Sequence, residues 1–120
     1  MITDKTLTKF GFAKDVDNLK LKEVLKCGTK LREIHIDIYP ENPLVSSAMP
    51  FALLLRTIEK NVTVGNDRDR LILEKNDIYK TYFMNILFSK ITECLFKVSN
   101  GVSEFILNVQ NIYYRITVFN

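Results

Sequence analysis

The sequence predicts an α+β fold, a mostly antiparallel sheet that ends in a three-stranded meander, with helices packed on one face. Three observations carry this expectation. Asn100-Gly101 stands between two alternating segments, residues 31–39 alternate like a strand, and apolar residues recur at helical spacing over residues 17–26, 50–60 and 76–90. With 120 residues, 47% of them hydrophobic, the chain is the size of one domain and can bury a core without staples. Residues 1–120 are therefore expected to form a single α+β domain, with no internal repeat or linker.

The elements follow in order. Residues 3–10 suit a short helix capped by Thr3 or Asp4 and ended by Gly11, with Phe10 and Phe12 anchoring it. Asp17 or Asn18 can cap a second helix through Lys26, whose apolar face is Leu21, Val24 and Leu25; a strand over residues 19–25 is the rival assignment. In the strand at residues 31–39, Ile34, Ile36 and Ile38 face one way and Glu33, His35 and Asp37 the other; Pro40 stops it. Pro50 suits the first turn of a helix through Lys60 with Phe51, Leu54, Leu55 and Ile58 as its buried stripe. Val62 and Val64 can pair with Leu71 and Leu73 as a hairpin around Gly65-Asn66-Asp67. Asn76-Asp77 can cap a further helix, in which Ile78, Tyr82, Ile86 and Tyr79, Phe83, Leu87 repeat every four residues, although the same stretch is rich in strand formers.

The last thirty residues carry the sharpest register. A two-residue turn at Asn100-Gly101 sets Ser99 opposite Val102, Lys97 opposite Glu104, Phe96 opposite Phe105 and Cys94 opposite Leu107. A second tight turn at Gln110-Asn111 sets Val109 opposite Ile112, Leu107 opposite Tyr114 and Phe105 opposite Ile116. One face then collects Cys94, Phe96, Val98, Phe105, Leu107, Val109, Ile112, Tyr114, Ile116 and Val118, and a slip of one residue would turn that set to solvent.

Composition narrows the function classes. The formal net charge is +3, and basic and acidic side chains cancel over residues 41–80. A nucleic-acid binder usually shows a denser basic surface, so nucleic acid is an unfavoured partner. The local basic excess lies in residues 14–32, where Lys20, Lys22, Lys26, Lys30 and Arg32 could touch phosphates; without interleaved aromatics, a lysine face kept for solubility is the simpler account. Cys27 and Cys94 form no CxxC pair and are expected to be reduced. The N-terminus has no apolar h-region and no run is long enough to cross a bilayer, so a cytoplasmic location with no membrane partner is expected. The Ile, Lys and Asn content and the lack of Trp associate with AT-rich coding sequences, such as those of low-GC bacteria and their phages.

Motifs for catalysis are missing: there is no phosphate-binding Gly loop, GxSxG, HExxH or paired CxxC. Glu33, His35 and Asp37 form a row on one strand face that could hold a metal or serve acid–base chemistry; with no second histidine, a solvated face is the simpler account. Asp67, Asp69 and Glu74 with Arg68 and Arg70 could suggest a phosphate or metal site, but the alternating signs neutralise one another and a solvated hairpin loop is the simpler account. Cys27 reads as an inert thiol. No cofactor is expected, and no metal.

Leu95, Ile106, Tyr113, Arg115 and Thr117 are expected on the outer sheet face, a composition that suits contact with another protein. The leading expectation is thus a small non-catalytic interaction protein (an accessory factor, inhibitor, immunity protein or adaptor), more a binder than an enzyme. Self-association or partner capture through an uncovered edge at residues 112–119 goes with that expectation, because the strand lacks the lysine or proline that blunts natural edges; the alternative is that the strand at residues 31–39 already covers this edge. The alternatives are a nucleic-acid-associated protein using the lysine face and a small metal-dependent enzyme using Glu33, His35 and Asp37.

Overall fold

In the computed structural model, residues 10–44, 53–65, 67–76 and 80–119 are described. They form β1 (Ala13–Lys14), a 3-10 turn (Val16–Asn18), α1 (Leu19–Val24), β2 (Lys30–Tyr39), β3 (Leu55–Val64), β4 (Arg70–Asn76), β5 (Lys80–Leu87), a second 3-10 turn (Phe88–Lys90), β6 (Ile91–Ser99), β7 (Val102–Val109) and β8 (Ile112–Phe119). All eight strands belong to one antiparallel sheet in the order β1-β6-β7-β8-β2-β3-β4-β5.

This corrects the expected α+β class. The fold is dominated by its sheet, and α1, six residues long, is the single α-helical element with assigned bounds among the described residues. Residues 55–60, expected to be helical, are strand, and so are residues 80–87. In both windows apolar and β-branched residues occur on every side, so a period of 3.6 and a period of 2 fit equally well. Residues expected in the buried stripe of a 50–60 helix are solvent-facing: Leu54, Leu55 and Ile58 are all more than half exposed. The expected helix over residues 3–9, and the parts of the other two at residues 50–52 and 77–79, lie outside the described residues.

The meander follows the expected register throughout. Ser99 pairs with Val102, Phe96 with Phe105, Cys94 with Leu107, Phe105 with Ile116 and Val109 with Ile112. Both turns place their central residues at positive φ, Asn100 and Gly101 in the first and Gln110 and Asn111 in the second, the geometry that matches the twist of flanking strands. β3 and β4 do form a hairpin, but its register is shifted by two from the expected one: Val64 pairs with Leu73 rather than Leu71, and Val62 pairs with Leu31 of β2.

The sheet must curl. β5 and β6 are joined by three residues, yet they stand eighth and second in the strand order. In a flat sheet six strand spacings would separate them by about 29 Å. The chain from Leu87 to Ile91 can reach at most about 14 Å. The curl brings β4 and β5 across from β6 and β7, so Leu71, Leu73, Met84 and Ile86 share one core with Cys94, Phe105, Leu107, Ile116 and Val118. Leu21 of α1 and Leu25, the residue that follows the helix, enter the same core.

The β2–β3 ribbon changes face once. Leu31 and Val62 are buried in the core, whereas Glu33 and Lys60, two positions along each strand, lie on the outside. Asn61 takes φ 55°, a left-handed conformation that asparagine tolerates, and this kink reverses the alternation. From there Arg56, Ile58 and Lys60 point outward beside the polar row of β2.

Candidate functional site

Two groups that the sequence treats separately meet on the convex face. β2 lies between β8 and β3, and its register sets Asp37 opposite Arg115, His35 opposite Thr117 and Tyr39 opposite Tyr113. On the other side Asp37 stands opposite Arg56, His35 opposite Ile58 and Glu33 opposite Lys60. Paired residues of antiparallel strands share a face, so the row Glu33, His35, Asp37 sits beside Tyr113, Arg115 and Thr117.

The charges of this face are matched to one another. Arg56 donates to Asp37 through Nε at 2.9 Å and through Nη2 at 3.4 Å. That hydrogen bond, then the Asp37 charge, raises the Arg56 pKa further, so the guanidinium stays charged. Arg115 donates to Glu104 at 3.1 Å. Glu33 lies 3.1 Å from His35 Nε2 and 3.8 Å from the Lys60 ammonium. The His35 ring packs against Phe119, centroid to centroid at 4.8 Å.

This pairing bears on the metal alternative. Residues two apart on a strand share a face, yet Asp37 is turned to Arg56 and Glu33 is shared between His35 and Lys60. Among the described residues no three His, Cys, Asp or Glu side chains are placed to hold one ion. Asp37 and Glu33 are engaged in cross-strand ion pairs with Arg56 and Lys60, and His35 lies between Glu33 and the Phe119 ring.

Of the residues expected to form a contact surface, Tyr113, Arg115 and Thr117 are half-buried on the outer face. Leu95 and Ile106 are not surface residues. They are 0% and 1% exposed, in a small second core with Phe12 and Leu44, and Tyr113 packs against it. Phe12 arrives just before β1, which pairs with β6. Leu44 is positioned by a turn in which its N–H donates to Asn42 Oδ1 at 2.9 Å. On the outer face the exposed apolar side chains are instead Leu54 and Ile58, 59% and 52% exposed; elsewhere Val16, Leu19, Leu55 and Val98, the last expected on the buried face of the meander, are also more than half exposed. Sequence reasoning missed Leu54 and Ile58 because it placed them on a helix; the alternation Leu54, Arg56, Ile58, Lys60 was the signal that could have found them.

The edge contact expected at residues 112–119 is also corrected. β8 is hydrogen-bonded to β7 on one side and to β2 on the other, so it has no free backbone edge to offer a second copy.

The basic group of residues 14–32 does not form one face. Lys14 lines a concavity with Asp15, Asp17 and Glu93. Lys20 pairs with Glu23 at 3.6 Å. Lys30 and Arg32 line a separate concavity with Asn61 and Thr63 on β2 and β3. Lys22 lies over the Phe88 ring, 4.9 Å from its centroid, and with Lys26 borders a cleft that also receives Arg68 and Arg70. Cys27, exposed, lies at this cleft.

Cys94 is buried, and its thiol donates to Asp15 Oδ2 at 3.4 Å. Burial first, and then the Asp15 charge, push this thiol far above its ordinary range, so it stays protonated and unreactive.

Comparison with known protein families, with curated proteins and with solved structures found no match. Among the described residues no helix is long and apolar enough to cross a membrane.

Proposed function

We propose that this protein is a non-catalytic interaction module that binds another protein through the outer face of β3, β2 and β8. One observation carries the proposal: Leu54 and Ile58 stand exposed on a rigid sheet face among Arg56, Tyr39 and Arg115. Aromatic, arginine and aliphatic side chains together make up the centre of typical protein interfaces. The charges on this face are already neutralised by their neighbours, so a partner need not supply a counter-charge for each. Such a face suits a partner surface of mixed apolar and polar character, as an accessory, inhibitor, immunity or adaptor protein would use.

The test is a pull-down from the native host with mass spectrometry, run with the wild-type chain, Ile58→Asp and Lys26→Glu. The expected result is one partner captured by wild type and by Lys26→Glu and lost with Ile58→Asp. Capture that survives Ile58→Asp and a second change, Leu54→Asp, would remove the outer face from the account.

A further inference from the structure

We propose that the cleft between the C-terminal end of α1 and the β3–β4 hairpin is a binding site for a phosphate group. This goes beyond the protein-contact reading and does not depend on it. The cleft has a volume of about 140 Å³ and is bordered by Lys22, Lys26, Arg68, Arg70 and Asp67. In sequence the two lysines and the two arginines stand some forty residues apart, and each group reads alone as an ordinary solvated cluster. The fold brings them to one opening.

The electrostatics favour an anion there. One oxygen of Asp67 already accepts the Asp69 N–H at 2.8 Å, inside its own loop. The side chains of Lys26 and Arg68 have no ion-pair partner among the described residues. Arg70 borders the cleft from the β4 face opposite Leu71, where its Nη1 donates to Asn85 Oδ1 at 3.1 Å, so the cations left to face an anion are Lys22, Lys26 and Arg68. The floor is apolar, made of the buried side chains Leu25, Val64 and Leu71. Lys22, Lys26 and Arg68 stand exposed around this floor and repel one another, so a bound counter-anion relieves that repulsion.

The geometry is also preformed. The Gly28 N–H donates to the Val64 carbonyl at 2.9 Å, tying the segment after α1 to the end of β3. The Gly65 N–H donates to the Ile72 carbonyl at 2.8 Å, closing the base of the hairpin. A Cβ at Gly65 would lie 2.8 Å from the Ile72 side chain, so this close approach needs glycine. Sites for whole drug-sized ligands usually run from about 300 Å³ upward, so this cleft takes a head group and leaves the rest of the ligand outside. Guanidinium and ammonium groups together are suited to phosphate, arginine as a bidentate donor and lysine as a point charge. The phosphate could belong to a small phosphorylated molecule or to the phosphodiester backbone of a nucleic acid.

Cys27 supplies a native reporter, because it is exposed at the cleft while Cys94 is buried. The experiment follows alkylation of Cys27 by iodoacetamide, read by intact mass, as inorganic pyrophosphate or a short oligothymidylate is titrated at constant ionic strength. The expected result is saturable protection of Cys27. Arg68→Ala and Lys26→Ala should each weaken the apparent affinity about tenfold, the loss of one charge-assisted contact, and Lys30→Ala should leave it unchanged. Both altered residues are exposed, and a melting curve checks that each variant is folded. Tighter protection by pyrophosphate assigns the site to small phosphorylated ligands, and tighter protection by the oligonucleotide assigns it to a nucleic-acid backbone. No protection by either, or protection that persists in both Arg68→Ala and Lys26→Ala, would overturn the proposal.

Discussion

The thiol of Cys94 donates to the carboxylate of Asp15 at 3.4 Å, across 79 positions of sequence and inside the fold. The same carboxylate accepts the backbone N–H groups of Lys20 at 2.7 Å and Leu21 at 2.8 Å. Asn18, the residue that precedes α1, makes no side-chain cap, so Asp15 satisfies the first turn of the helix from outside it. Asp15 also donates its own N–H to the Cys94 carbonyl at 2.8 Å. One buried acid thereby ties α1 to strand β6 and places Leu21 in the core.

Asp15→Ala should lower stability by about 1–3 kcal/mol, because the buried Leu21 N–H is left without an acceptor. Asp15→Asn should cost less, since a carbonyl oxygen remains to accept. Urea unfolding of the two variants beside wild type measures the difference. Equal midpoints for all three would show that Asp15 does not anchor the helix.

Stability should fall on the alkaline side because of Cys94. Its pKa is raised in the folded protein, so the associated stability is fully present below the unfolded thiol pKa of about 8.5 and is lost as pH rises above it. The slope for one such group is at most about 1.4 kcal/mol per pH unit. Urea midpoints at successive pH values for wild type and Cys94→Ala read it out, and the variant should show the flatter profile. Parallel profiles would mean that the thiol ionises equally in both states.

Thr117→Pro should unfold the protein rather than relieve self-association. Thr117 lies between Glu104 on β7 and His35 on β2, inside the sheet, where proline costs about 3 kcal/mol or more. Circular dichroism of the purified variant is the check. A folded variant with only a change in oligomeric state would restore the open-edge picture.

Ile106→Ala and Ile58→Ala should separate core from surface. Ile106 is buried under Phe12 and Leu44, and its truncation should cost about 2–5 kcal/mol. Ile58 is exposed, and its truncation should move stability by about 0.5 kcal/mol or less. Similar losses at the two positions would contradict the assignment of the faces.

His35→Ala should cost about 1 kcal/mol or less, from the lost packing on Phe119 and the contact with Glu33. Zinc or a chelator should leave the melting temperature of wild type and variant alike. A metal-dependent rise that disappears in His35→Ala would show that the Glu33–His35–Asp37 row does gather around an ion.

The candidate sites were only partly legible. Glu33, His35 and Asp37 stand on one strand face because alternation is a local property. Their partners Arg56, Lys60 and Arg115 come from strands whose positions depend on the whole sheet, so the ion pairs that occupy the row had no local signal. The phosphate cleft joins residues 22 and 26 to residues 68 and 70, a placement that no window of sequence contains.

The sequence by itself determined the meander of β6, β7 and β8 to the residue, because two tight turns and a period of 2 leave one register that buries Phe105 and Ile116. It also determined the alternation of β2 over Glu33–Ile38 and that β3 and β4 are joined as a hairpin, though not the register of that hairpin. Only the tertiary structure decided that residues 55–60 and 80–87 are strands, since apolar residues on all sides satisfy either period and the neighbouring strands supply the missing hydrogen bonds. The pairing of β2 with β8 and the curl that follows from the short link between β5 and β6 were likewise decided in three dimensions. They are long-range contacts, set by which arrangement pairs the backbone groups of every strand and closes one core around Leu21, Phe105 and Leu73.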